Sequence, residues 1–234
     1  MEPTKIVRIR VKTTLPRVPY PPAEERHPVI TERLIIRPLA QSDLDALHAL
    51  RRIEAVMVRT SQGAVDPDIE TTKQKLDLYL PPNDKDTYNF AICERATGNL
   101  VGIGGSHIRQ DHFGWPVVGY VFHPSIWGKG YATEFVKAFM EMWWSLPRAE
   151  ADVDAEAGSV KAAVIGDEYG SRPELEVEEG AHVREMMIGV TQEDNLASAK
   201  ILTKCDFKRL EDWIVKSGDG VERLYVFSCQ RPIA

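Results

Sequence analysis

The chain is poor in several features that would fix its class at a glance. It has three cysteines, Cys93, Cys205 and Cys229, far apart and without CxxC spacing. So few scattered thiols argue against a disulfide scaffold or a zinc site, and for a reducing, cytoplasmic setting. No apolar run approaches the ~20 residues that a membrane helix needs, so no membrane partner is expected. Positive charge is not in excess either: 29 Lys and Arg stand against 35 Asp and Glu, a net charge of -6. That balance leaves no footprint for nucleic acid. Two familiar glycine loops are missing as well. No Gly-Lys-Ser/Thr follows a longer glycine loop, and no Gly-x-Gly-x-x-Gly is present. No internal repeat is visible.

What remains fits one sizeable domain. The 234 residues are 43% apolar, enough to bury a substantial core. The negative charge is concentrated. Between Arg148 and Gly180, ten acids face three bases, so this stretch carries -7 and the remainder is nearly neutral.

The informative stretch runs from Val117 to Glu134. Val117–Phe122 is β-branched and aromatic and reads as a strand. From Tyr131 onward, Phe135, Val136, Phe139, Met140 and Trp143 recur at helical spacing. Between them lies Gly128-Lys129-Gly130. Glycine there allows left-handed backbone and close approach of a ligand. The helix start adds unpaired N–H groups and a positive dipole end. The combination suits a phosphate or pyrophosphate. A tight turn with glycines for steric reasons alone is the competing reading.

Trp127-Gly128-Lys129-Gly130-Tyr131-Ala132 resembles the acyl-CoA pyrophosphate loop, Gln/Arg-x-x-Gly-x-Gly/Ala, of the GNAT superfamily of N-acetyltransferases. Trp in the first position is similar to the branch of ribosomal-protein N-terminal alanine acetyltransferases. Thr31-Glu32-Arg33-Leu34-Ile35-Ile36-Arg37-Pro38-Leu39 resembles the first strand of that branch. Asn195-Leu196-Ala197-Ser198, with Cys205-Asp206-Phe207, resembles its last helix and Gly-Phe ending, Asp206 standing where Gly is usual. The resemblance covers about Thr31 to Phe227 apart from one insertion.

Taken in order, residues 1–28 form a basic, proline-rich arm. It carries Lys5, Arg8, Arg10, Lys12 and Arg17 and lacks the apolar core of a secretory signal. A basic presequence is one reading; the alternation of Ile6-Val7-Arg8-Ile9-Arg10-Val11 and the prolines favour an extended arm. The domain proper is 29–234. Arg33–Arg37 reads as a strand, and Ser42 as the cap of a helix over Asp43–Ile53. Asp66 reads as the cap of a second helix, with Pro67 in its first turn. Tyr88–Glu94 and Leu100–Ser106 read as a hairpin around Ala96-Thr97-Gly98-Asn99. Gly102, Gly104 and Gly105 suggest a bulge or a close approach. The loop His107–Pro116 suits either ligand contact or a solvated turn.

An acidic insertion at about 147–182 follows. Its low hydrophobicity and high charge read as a mobile excursion burying little apolar surface, or as one that steers cationic acceptors. Glu185–Thr191 reads as a strand and Asn195 as a helix start. A terminal hairpin is expected around Ser217-Gly218-Asp219-Gly220. The sum is a single α+β domain with a mixed, mostly antiparallel sheet of six to seven strands and about four helices. The resemblance adds that the strands splay at the acyl-CoA site.

It also implies an acetyl-CoA-dependent N-acetyltransferase that moves acetyl from the thioester to a primary amine by direct attack, with no metal. Cofactor contacts fall on Phe122, His123, Trp127, Gly128, Lys129, Gly130, Tyr131, Ala132 and Thr133, with Asn195 on the pantetheine arm. The main-chain N–H of Phe122 or His123 would face the thioester carbonyl. The family's Tyr acid, seven residues after Asn195, is replaced by Leu202, and its strand carboxylate by Val117-Val118. Ser198 is the branch's substitute acid, or simply a helix-start serine. His107 is the remaining imidazole base. Glu134 pairs at the helix start. The acceptor is a small molecule or a protein N-terminus, and a homodimer stays open. The other function class is a non-catalytic acyl-CoA-binding module of the same fold.

Overall fold

The structure is a computed structural model, and it describes residues 2–165, 177–217 and 220–233. Strand β1 spans Arg8–Pro16, β2 Val29–Ile30 and β3 Leu34–Arg37. Helices α1 (Leu44–Arg51), α2 (Glu54–Met57) and α3 (Ile69–Asp77) follow. Strands β4 (Tyr88–Glu94), β5 (Leu100–Ile108) and β6 (Val117–Phe122) lead into α4 (Tyr131–Ser145). Next come β7 (Arg148–Glu156), α5 (Ala157–Ile165) and β8 (Met186–Gln192). Last are α6 (Leu196–Lys204), β9 (Lys208–Ser217) and β10 (Gly220–Gln230). The class is α+β, mixed and mostly antiparallel, as expected. The described residues add β1, β2, β7, α2 and α5 to the seven strands and four helices legible in the sequence. The chain forms two compact units.

One unit holds Val18–His107 and Val118–Trp143. Its strands pair in the order β2-β3-β4-β5-β6. Phe135, Phe139 and Trp143 recur every four residues on α4, and all three are fully buried. Their rings follow one another at 5.8 and 6.1 Å, and Tyr88 of β4 lies 6.1 Å from both Phe139 and Trp143. Each such ring stabilises the fold by about 1.5–3 kcal/mol through burial. Glycine makes this approach feasible. A Cβ on Gly104 would stand 2.6 Å from the Phe135 ring, and one on Gly102 would stand 2.5 Å from the Val121 carbonyl. The predicted close approach is therefore real, and a register shift at Ile92/Cys93 adds the bulge.

Two helix starts differ from expectation. Ser42 does not cap α1. A 3-10 turn over Gln41–Asp43 leads in, and buried Asp43 accepts from Ala40 N–H at 2.8 Å while the Arg37 fork grips it at 2.6 and 2.8 Å. Nor does Asp66 cap α3. Asp68 does so, accepting from Thr71 N–H at 2.7 Å. Asp66 is buried and takes hydrogen bonds from Arg51, Lys75, Gln62 and Thr72. A carboxylate two residues from a helix start can serve either purpose, and the two arginine and lysine donors decide it here.

The other unit comprises Met1–Arg17, Ile108–Val117 and Trp144–Ala234. It contains the largest departure from the sequence reading. β1 and β7 pair antiparallel over nine registers, from Arg8 opposite Glu156 to Pro16 opposite Arg148. Val11, Leu15, Val153 and Ala155 face inward from this ribbon and join Val160 and Ala163 of α5 in a core with Trp115, Met186, Ile188 and Trp213. The stretch 148–165 is thus a packed strand and helix and not a mobile excursion. Residues 166–176 of the insertion, and Gly218-Asp219 of the expected hairpin turn, lie outside the described residues. The loop before β6 also packs inward: Trp115 Nε1 donates to Ser159 Oγ at 2.9 Å, and Phe113 meets Trp213 ring to ring at 4.4 Å. Strands pair as β8-β10-β9. Val117, the first residue of β6, belongs to this unit and pairs in parallel with Ile188.

Candidate functional site

The glycine loop is built by the elements on its two sides. β6 ends at Phe122, a 3-10 turn over Pro124–Ile126 reverses the chain, and α4 begins at Tyr131. Gly128 and Gly130 have φ of +73° and +85°, conformations that a side chain disfavours. A Cβ on Gly128 would meet no atom within 4 Å, so its left-handed turn faces open space. One on Gly130 would stand 3.4 Å from Arg33 Nη2. The turn is thus open, lined by backbone and placed at the N-terminus of a fifteen-residue helix beside a guanidinium, features that suit an anion.

Arg33 and Glu134 fix that turn. Arg33 donates to the Lys129 carbonyl at 2.7 Å and to Glu134 at 2.7 Å, and its guanidinium lies 4.6 Å over the Tyr131 ring. Glu134 also accepts from Thr31 Oγ1 at 2.6 Å and Arg33 N–H at 2.8 Å. Burial alone would raise the Glu134 pKa, but these hydrogen bonds outweigh it and hold the carboxyl below its ordinary value. Glu134 therefore pairs at the helix start, as the sequence suggested. Its tie to Arg33 is across 101 residues and is invisible to local pattern.

Trp127 Nε1 donates to the Phe122 carbonyl at 2.8 Å, and the indole stays 48% exposed. His123 Nδ1 lies 2.8 Å from Ser125 Oγ, which ties the imidazole into the turn. The His123 main-chain N–H donates to Val101 O at 2.8 Å. It is committed to β5 and is not open to a substrate carbonyl. Successive N–H groups of a strand point to opposite edges, so the Phe122 N–H is the one directed away from β5. Of the two main-chain donors that the resemblance implies, His123 is therefore the one already bonded to β5.

His107 sits at the end of β5, with its ring 3.6 Å from where a Gly119 Cβ would be. The residue keeps exposed surface, yet the strands around it desolvate the imidazole and lower its pKa. Direction matters here more than amount: the neutral, proton-accepting form is favoured.

Asn195 and Ser198 belong to the unit that holds α6. Asn195 Oδ1 accepts from Ser198 N–H at 3.2 Å and so caps α6. Leu202 is 1% exposed and packs on β8, where a Cβ on Gly189 would stand 2.7 Å from its side chain. Position 202 is a core position in this chain, and no phenol is available there. Asp111, in the loop before β6, accepts from Phe113 N–H at 2.8 Å, and its burial pushes the carboxyl up to about 6. Phe113 and Trp115 of that loop pack inward, so this part of it is neither a solvated turn nor an open surface. Among the described residues no cluster of three or more His, Cys, Asp or Glu could hold a metal ion.

The sequence model of the acetyltransferase (GNAT) domain matches residues 33–208. A Microcin C7 self-immunity acetyltransferase, solved with acetyl-CoA and AMP, superposes with TM-score 0.59 at 14% identity over 86% of this chain and 93% of that one. A spermidine N-acetyltransferase from Vibrio cholerae, solved with CoA and spermine, gives TM-score 0.57 at 11% identity over 86% and 97%. The ribosomal-protein-S5-alanine acetyltransferase from Vibrio fischeri gives 0.58 at 13% identity over 88% and 97%. At these identities the likeness speaks for the fold.

Proposed function

The chain belongs to the GNAT acetyltransferase family, and from that premise we propose that it is an N-acetyltransferase moving acetyl from acetyl-CoA to a primary amine. The observation that carries this reading is the cradle at Gly128 and Gly130, both left-handed and held by Arg33. The pyrophosphate is assigned to it, with the N–H groups of the first turn of α4 as donors. Trp127, Lys129, Tyr131, Ala132 and Thr133 surround that anchor. Asn195 is assigned to the pantetheine arm.

Acetyl transfer asks three things of the chain: an amine freed of its proton, a stabilised oxyanion and a protonated leaving thiolate. The Phe122 N–H is the oxyanion donor that β6 supplies. His107, biased toward its neutral form, is the proton acceptor we assign, directly or through water. Ser198 is the donor we assign to the thiolate, since Leu202 can give none. The acceptor is a small amine or a protein N-terminus; a spermidine and a ribosomal-protein enzyme both occur among the structural relatives. The setting we assign is cytoplasmic, and no described helix is long and apolar enough to cross a membrane.

Calorimetry with acetyl-CoA tests the cradle. Gly128→Glu and Gly130→Glu each place a side chain and a negative charge where the pyrophosphate would lie, at positive φ. The parent should bind, and both variants should lose binding while keeping the parent's circular dichroism. Parent-like affinity in both folded variants would remove the loop from the cofactor site.

A further inference from the structure

The unit that holds β1, β7, β8 and β10 has an open cleft of about 340 Å³, sharing no residue with the glycine loop. That size is at the lower end for small-ligand sites, about 300–1,000 Å³. Its floor is polar and unusually under-satisfied. Glu185 is 2% exposed, and its Oε2 accepts from Arg148 Nε at 2.8 Å and from Thr14 Oγ1 at 3.3 Å. Its Oε1 is buried with no hydrogen-bond partner among the described residues. Buried polar atoms are nearly always paired, so an acid oxygen left single in the lining of a cleft points to a ligand that brings a donor.

Arg231 provides the opposite charge. Among the described residues its guanidinium makes one long hydrogen bond, Nη1 to Thr14 Oγ1 at 3.5 Å, and it acts on the Glu185 charge from there, while its backbone N–H donates to the Glu185 carbonyl at 2.8 Å. The Thr14 hydroxyl therefore touches the acid and the guanidinium at once, setting the two charges one hydroxyl apart. Val183, Pro232 and Ile233 give the cleft an apolar side. A plain anion would meet Glu185 and the exposed Glu150; a plain cation would meet Arg231 and Arg184. A ligand carrying both charges close together meets neither objection.

We propose that this cleft binds a free α-amino acid with an aliphatic side chain, its ammonium at Glu185, its carboxylate on the Arg231 fork and its side chain against Val183, Pro232 and Ile233. The site is separate from the proposed acetyl transfer, and its test does not depend on turnover.

The probe is L-leucine, with leucinol lacking the carboxylate and 4-methylpentanoate lacking the ammonium, each titrated into the full chain by ligand-detected NMR. Leucine should bind saturably, and each analogue should bind at least about tenfold more weakly, which is about 1.4 kcal/mol. Arg231→Met should abolish leucine binding and leave the folded spectrum intact. Glu185→Gln risks unfolding, because Arg148 would stay buried without its carboxylate, so Thr14→Val serves as the second cleft variant and should weaken leucine as well. No saturation at tens of millimolar overturns the proposal. So does leucinol or 4-methylpentanoate binding as well as leucine, or leucine binding unchanged by Arg231→Met.

Discussion

At the scale of single residues, the structure separates groups that hold the chain from groups that could do chemistry. Asp66 is the clearest of the first kind. Burial would raise its pKa, yet hydrogen bonds from Arg51, Lys75, Gln62 and Thr72 outweigh this and hold it well below the usual carboxylate range. A group depressed in the folded state stabilises fully above its unfolded pKa, near ~3.9, and that contribution fades as pH falls below it. Asp66→Asn would leave Arg51 and Lys75 facing an amide, at a cost of about 3 kcal/mol. We predict a lowered Tm at pH 7 and a shallower loss of Tm between about pH 4 and 2, both read from thermal melts across pH. Ser198 belongs to the second kind. If its hydroxyl protonates the departing thiolate, Ser198→Ala should lower kcat by ~100-fold and leave acetyl-CoA affinity nearly unchanged. A kcat within a few-fold of the parent would return Ser198 to the role of a capped helix residue and leave water as the acid.

At the scale of elements, legibility followed chemistry that is local. The strand–glycine–helix unit of β6, the loop and α4 could be read because β-branched residues, two glycines and a four-residue aromatic repeat are adjacent in sequence. Asn195 as the start of α6 was equally local. The two cap assignments failed because each helix start offers an acid one or two residues further on, Asp43 and Asp68, and the local pattern does not say which side chains they bond: Arg37 grips Asp43, Arg51 and Lys75 draw Asp66 inward, and Asp68 is left to cap α3. β7 was missed for another reason. Ala149, Ala151, Val153 and Ala155 alternate faultlessly with polar residues, but alanine carries so little hydrophobic weight that the charges dominated the reading. Asp206 is a milder case: it takes φ of +63°, the left-handed conformation for which the family's usual Gly is suited. The Arg33–Glu134 tie and the His123–Val101 bond lay beyond any sequence pattern, since each joins residues made neighbours by sheet pairing or by a helix docking on it.

At the scale of the whole molecule, the acidic segment and the basic N-terminal stretch are two halves of one ribbon. Lys12 stands opposite Asp152 and Arg10 opposite Asp154, so charges that look like separate surface features are cross-strand pairs. The consequence for stability is definite. Deleting residues 152–178 removes Val153, Ala155, Val160 and Ala163 from the core, truncates β7 and leaves Arg8–Lys12, the N-terminal half of β1, without its partner strand. We predict that this deletion gives insoluble protein or a Tm lowered beyond ~10 °C, since several buried apolar side chains are lost at about 1.5–3 kcal/mol each. A soluble deletion with parent-like melting would show that the ribbon is dispensable.

Amine acetylation from acetyl-CoA is decided by turnover and not by binding, because a non-catalytic acyl-CoA module would bind equally well. The purified chain is mixed with acetyl-CoA and a panel of primary amines, including a polyamine and peptides with free N-termini, and thiol release is followed alongside mass spectrometry of the acceptor. An acetyltransferase should give thiol release that depends on one class of amine, with an acetylated product in equal amount and loss of both in Gly130→Glu. Saturable acetyl-CoA binding with no amine-dependent thiol release across the panel would contradict it and favour the binding module.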